Sequence, residues 1–197
     1  MTQEQALDIL KTGGNVFLTG EPGTGKTYVI NQYIAWLEAA GINVAVTAST
    51  GIAATHIGGM TIHAWSRIGP RDSLSPYDLD QIVNHEKTSR RIKKAQVLVI
   101  DEISMLGGPT LGMVDQVIRA IRQTNEPFGG LQVIFVGDFF QLPPIVRPGE
   151  ETQYAFESLS WQQARPLICY LTDQYRQDDE MLLGLLKSIR QLSLIHI

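Results

Sequence analysis

Cysteine is almost missing: Cys169 is the one thiol in 197 residues. An internal disulfide is therefore impossible, and a reducing, bacterial-type intracellular (cytoplasmic) setting is expected. Long apolar runs are missing too. None approaches the roughly 20 residues that span a bilayer, so no membrane association is expected. The first residues, MTQEQALDIL, lack the basic-then-apolar layout of a secretory signal. Internal repeats and low-complexity tracts are absent. Positive charge is in short supply, with a net charge of −4. That argues against a broadly basic nucleic-acid binder, although a groove needs only local charge. What remains is an ordinary globular chain, 44% hydrophobic and 18% charged, long enough for one α/β domain with a core.

Apolar strands alternate with helical patterns. NVFLTG, INVAVTA, QVLVIDE, LQVIFVGD and PLICYL read as strands. QEQALDILK, GKTYVINQYIAWLEAAG, GPTLGMVDQVIRAIRQT and DDEMLLGLLKSIRQ read as helices, and 50–69 as two short helices with a glycine break. Residues 70–95 are polar and helical, with PRDSLSP as a loop. Such alternation predicts a parallel sheet covered on both faces, with ligands at the C-terminal strand ends.

Three polar clusters fall at those ends. Gly20 to Thr27, GEPGTGKT, fits the phosphate-loop pattern completely and sits between a strand and a helix. Its glycines let backbone N–H groups face phosphates, and the helix adds its positive dipole end. Gly20, Gly23, Thr24, Gly25, Lys26 and Thr27 are the expected nucleotide contacts. Lys26 would reach the terminal phosphates of ATP, and Thr27 would ligate Mg²⁺. Asp101-Glu102 follows VLVI. Asp101 is assigned to the Mg²⁺ shell and Glu102 to the attacking water, the alternative being a solvated acidic strand end. GDFFQLPP, 137–144, follows the next strand. Gln141 both donates and accepts and can sense a γ-phosphate. Asp138 would support it, Pro143-Pro144 would stiffen the connection, and Phe139 and Phe140 read as core rather than as base-stacking residues. These residues describe a P-loop ATPase but not the work it does.

FLTGEPGTGKT, TASTGIAATHIGGMTIHAW, VLVIDEISML, IRQTNEPFGGLQVIFVGDFFQLPP and LTDQYRQDDEMLLGLLKSIR occur in that order. Together they resemble the petite-integration-frequency family of 5′-to-3′ DNA helicases, in superfamily one, from about Thr2 to Arg190. PFGGLQVIFVGDFFQLPP is the most telling part, and subunits of the RecD type match it less well. The resemblance implies a RecA-like first motor domain over 1–191, with ATP and Mg²⁺ as cofactors. Single-stranded and forked DNA are the implied partners; repair, recombination and telomere maintenance are the implied settings. It also implies single-strand contacts through Thr50, Gly51, Thr61 and His63. Small residues and helix N-termini suit a backbone grip. For Thr50 a plain helix N-cap, and for His63 a core histidine, are the alternatives.

By the same resemblance Gln3 contacts adenine (Gln5 being the alternative), and Arg176 reaches the γ-phosphate; a solvated glutamine and a surface ion pair with Asp178-Asp179-Glu180 are the bland readings. A small wedge near the fork is implied within about 67–95. There KTSRRIKK carries five basic residues in eight, to be read as a duplex-phosphate contact or as a solvated helix face. A non-translocating ATPase module, a loader or regulator, is the competing function. LSLIHI, 192–197, breaks the preceding pattern and is expected to be a non-native tail encoded by sequencing-adapter read-through, with a natural apolar C-terminus as the alternative. The natural protein is then expected to continue into a second motor domain.

Overall fold

The computed structural model describes residues 1–146, 149 and 151–173. The expected last helix, Arg176 and the 192–197 tail lie outside these described residues. Six strands form one sheet: β1 (Val16–Gly20), β2 (Val44–Ala48), β3 (Met60–Thr61), β4 (Val97–Asp101), β5 (Gln132–Val136) and β6 (Leu167–Leu171). Their order is β3-β2-β4-β5-β1-β6, and every pairing is parallel. The helices are α1 (Gln3–Lys11), α2 (Lys26–Ala39), α3 (Gly51–His56), α4 (Ile62–Ser66), α5 (Pro76–Val83), α6 (Glu86–Lys94), α7 (Gly108–Arg122) and α8 (Leu159–Ala164).

The central strands alternate their cores with period two, as a sheet covered on both faces must. Val16, Leu18, Val97, Val99, Ile134 and Val136 face α1 and α2, packing with Leu10, Val29, Ile30, Tyr33 and Leu37. Phe17, Leu98, Ile100, Val133 and Phe135 face the other way, against Ile62, Ile82, Ile92, Leu111, Val114 and Ile118. Each fully buried Leu, Ile or Val contributes about 1.5–3 kcal/mol, so both layers are needed to hold the sheet between them. Residues 67–95 belong to the second layer: Ile68, Ile82 and Ile92 are buried in it.

The sequence pattern predicts five strands, and six are present among the described residues. The extra one, β3, has two residues, too few to show alternation. Helix α8 is a second addition; its six residues are started by Ser158, whose Oγ accepts from the Trp161 N–H at 3.2 Å. Trp161 stacks on Phe135 at 4.3 Å and meets Phe139 at 5.9 Å between ring centroids. Phe139 is therefore core, in line with its sequence reading. In PRDSLSP the loop ends at Ser75, which forms a capping box with Asp78 at the start of α5.

Candidate nucleotide site and adjoining cleft

β4, β5 and β1 are neighbours in the sheet, so the residues at their C-terminal ends share one edge. The three sequence-distant clusters are thereby brought together. Gly137 ties two of them, its N–H donating to the Leu18 carbonyl at 3.2 Å. A β-carbon there would stand 3.1 Å from the backbone nitrogen of Ile103, so glycine is what lets β5 pass under the turn after Glu102.

The phosphate loop runs from Gly20 to Gly25, the N-cap of α2. Gly25 is left-handed at φ 85° and offers no side-chain cap. α1, α3, α4, α5, α6 and α8 are each capped by a side chain at the same position. The positive end of α2 is thus left to an external acceptor. A β-carbon on Gly20 would stand 2.8 Å from both Leu171 O and Thr24 Oγ1, and one on Gly25 would collide with Gln3 Nε2. Gly23 is also left-handed, at φ 87°. Thr24 is buried and its hydroxyl donates to Glu21 O at 2.8 Å, fixing the loop from inside. Lys26 Nζ donates to Gly20 O at 2.8 Å and Glu21 O at 3.2 Å, folded over the loop. Thr27 is the next residue of α2 and is exposed.

Asp101 ends β4 in a largely buried position. Burial pushes its carboxyl up to about 6, and the Glu102 charge pushes the same way. The Glu102 N–H, which donates to Asp101 Oδ1 at 2.9 Å, and the nearby Lys26 and His56 charges oppose that rise. A carboxylate desolvated this far gains most from a cation beside it. Glu102 is held left-handed at φ 52° and ψ 47°. That conformation costs a non-glycine residue roughly 1–2 kcal/mol. Among the described residues no cluster of three His, Cys, Asp or Glu side chains is poised to hold a metal. The donor set instead fits a magnesium–polyphosphate, where one carboxylate, one hydroxyl and the phosphates share the ion.

Asp138 is 1% exposed and organises the turn after β5. It accepts from the Phe140 N–H at 3.2 Å and from Gln141 Nε2 at 3.3 Å, and the Gln141 N–H donates to its carbonyl at 2.9 Å. Gln141 is therefore held at the strand ends by its own turn.

Gln3 Nε2 donates to the Thr24 carbonyl at 3.1 Å, so α1 is fastened to the phosphate loop. Gln5 instead belongs to the capping box of α1 with Thr2. Beside Gln3 lies a cavity of about 440 Å³ lined by Leu7, Tyr28, Val29 and Gln32. Sequence reading does not single out those four; their common face of α1 and α2 is the only signal they carry.

A second cleft, about 620 Å³, opens next to the strand ends. It joins Thr50 and His63, with Ser49, Arg71, Leu106 and Ile145 among its walls. Thr50 Oγ1 accepts from the Ala53 N–H and Thr61 Oγ1 from the Ala64 N–H, both at 3.2 Å, so each caps a helix. Nothing would meet a β-carbon on Gly51 within 4 Å, which leaves its surface open. Thr61 and Gly51 flank the cleft in sequence but do not line it. His63 is half-buried, and burial lowers its basicity. Two of the site's three turns run on into this cleft, Glu102 to Met105 and Leu106 and Gln141 to Pro144 and Ile145, and the Ser49 N–H of the cleft donates to the Asp101 carbonyl at 3.0 Å.

A parallel sheet carrying a phosphate loop, a strand-end acid pair and a strand-end glutamine side by side defines a P-loop domain of the RecA-like class. The match with the family model for PIF1-like helicases covers residues 2–186, and the chain belongs to that family. It is 52% identical over 179 residues to an ATP-dependent DNA helicase Pif1 of Psychrobacter, covering 90% of this chain and 27% of the relative. The chain thus spans about a quarter of that relative's length. Among solved structures it resembles Pif1 helicase from Candida albicans, with a TM-score of 0.84 and 34% identity over 95% of this chain and 43% of that one. A Bacteroides Pif1 helicase in complex with ADP-AlF3 and ssDNA gives 0.83 and 32% over 97% and 46%.

Proposed function

We propose that this domain is the ATP-binding and ATP-hydrolysing motor lobe of a 5′-to-3′ DNA helicase, working on single-stranded DNA and at forks in a reducing, intracellular setting. The observation that carries the proposal is the run of three short connections from the nucleotide edge into the Thr50–His63 cleft. A change at Asp101, Glu102 or Gln141 has only a few residues of backbone to cross before it moves a wall of that cleft.

The roles come from placement. Backbone N–H groups of Gly23 to Thr27 and the ammonium of Lys26 take the phosphates. Gln3 takes the adenine edge, Gly20 and Gly25 keep the loop tight, and Thr27 with Asp101 holds Mg²⁺. The ion, when bound, neutralises the terminal phosphate oxygens. Glu102 accepts the proton of the attacking water. Gln141, set by Asp138, registers whether the last phosphate is present. Arg176, outside the described residues, is assigned the second cation. Thr50, Gly51, Thr61 and His63 grip the strand's backbone. A wedge within 67–95 remains part of this reading.

Photocrosslinking of bound oligo-dT tests it. Adducts at Thr50 to His63 whose yield changes with nucleotide are expected. Nucleotide binding with no DNA contact would favour the non-translocating module, for which the net charge of −4 is the supporting observation.

A further inference from the structure

Pro144, Ile145 and Val146 line the Thr50–His63 cleft, and Leu106 and Pro109 add to its apolar lining. Ile145 is 92% exposed, although isoleucine is among the residues most often buried. Its backbone is held in place. Pro143 and the buried Pro144 fix φ ahead of it, and Gln141 is tied to Asp138 through both its N–H and its side chain. A β-branched side chain has little freedom of its own at χ1. The cleft therefore presents an apolar group that is already ordered, and packing a ligand against it costs little entropy.

The charges of the same cleft narrow the choice of ligand. Asp72 and Glu151 bring carboxylates to the lining. Arg71 is engaged within the fold: its Nε lies 3.3 Å from Asp78 Oδ1, and its Nη1 donates to the Ile68 carbonyl. A phosphodiester pushed inside would meet two like charges and, among the described residues, a guanidinium that already has its carboxylate. An unpaired nucleobase carries no charge and offers a flat face to an apolar wall. The aromatic ring next to this turn is committed elsewhere, since Phe139 packs against Phe17 and Trp161 at 5.3 and 5.9 Å between centroids.

We propose that Ile145 packs against an unstacked base of the bound strand, with the bases turned into the cleft and the phosphates left on the Thr50–Thr61 side. The inference rests on the helicase reading above and adds which side of the strand faces the cleft. It also gives the nucleotide edge something to push, because Ile145 stands four residues beyond Gln141 on the diproline segment. In a duplex the faces of a base are covered by its neighbours, so this contact selects single strands.

The test is equilibrium binding of a labelled oligo-dT, and of a strand of abasic sites of the same length, to this chain and its variants across a salt series. The parent should bind oligo-dT more tightly than the abasic strand. Ile145→Ala should weaken oligo-dT binding about fivefold, the effect of roughly 40 Å² of lost apolar contact, and leave the abasic strand unaffected. No charge is lost, so the salt slope should stay at the parent's value. The side chain is exposed, so the melting temperature should stay there too. Ile145→Leu keeps the apolar area and should bind like the parent. Undiminished oligo-dT affinity in Ile145→Ala would overturn the base contact and leave Ile145 to a protein surface. An equal loss on both strands would overturn it in favour of the backbone. A parent that binds both strands equally keeps the helicase reading and overturns this one. If the parent binds neither strand at any salt, the helicase reading fails first and this one with it.

Discussion

Gln3 reaches 21 residues along the chain to donate its side-chain amide to the Thr24 carbonyl at 3.1 Å. One N–H is thereby spent on the phosphate loop. The second N–H and the side-chain carbonyl remain for the donor–acceptor edge of a purine, in an orientation the Thr24 bond fixes. Gln3→Glu replaces the donor with a carboxylate facing a carbonyl. ATP affinity should fall by about tenfold, and discrimination between ATP and GTP should shrink with it. Competition binding with the two nucleotides measures this; equal selectivity in variant and parent would remove Gln3 from the base site.

Lys26 supplies the cation folded over the loop. Lys26→Ala should weaken Mg-ATP binding by about 10- to 100-fold, the range for a lost charge-assisted contact, while the unliganded fold keeps its melting temperature within a few degrees. Titration calorimetry beside a thermal melt separates the two effects. Undiminished affinity would mean the phosphates lie elsewhere.

Asp101 makes stability depend on pH. Its folded value, about 6, lies above the ordinary 3.8. The fold therefore favours the protonated form. That contribution is complete below 3.8 and is lost as pH rises through about 6. Above that range the ionised side chain costs up to about 3 kcal/mol. Asp101→Asn removes the titration. The variant should melt above the parent at pH 8, the gap should close towards pH ~4, and Mg²⁺-dependent nucleotide affinity should drop. A gap that stays constant with pH would show that desolvation of this carboxyl is not its cause.

Asp138 is buried with two N–H donors on its carboxylate. Asp138→Ala strands both, which costs about 1–3 kcal/mol, and it frees Gln141 from its turn. Chemical denaturation should register the loss. Nucleotide affinity should change less than the coupling between nucleotide and DNA binding, measured as the ratio of oligo-dT affinities with and without a non-hydrolysable ATP analogue. A coupling ratio equal to the parent's would confine Asp138 to stability.

That the three polar clusters would meet at one edge of the sheet was legible because they lie in short motifs at strand ends, where continuous apolar runs stop abruptly. The longer strands were legible, but their order was not, and β3, two residues long, signals nothing. The stretch PFGG was conspicuous, but its reason was not. It lies before β5, at the end of the sheet away from the phosphate loop. The buried Asp115 of α7 accepts there from the Phe128 N–H at 2.7 Å, from Arg119 Nε at 2.8 Å and from Ser160 Oγ at 2.9 Å. No local pattern links a helix aspartate to a loop amide 13 residues on and a serine 45 residues on. The basic run of α6 was ambiguous for a similar reason. Charge alone could not tell Arg90, paired with Glu86 at 2.7 Å, from Arg91, turned inward onto α4.

The central claim is that the nucleotide edge and the cleft work as one device. The most direct measurement is steady-state ATP hydrolysis with and without oligo-dT, on this chain and on a chimera in which it replaces the matching quarter of a full-length relative. Hydrolysis by the chimera should rise by at least an order of magnitude with DNA and vanish in Glu102→Gln, which should still bind nucleotide. Hydrolysis indifferent to DNA, or unaffected by Glu102→Gln, would contradict it.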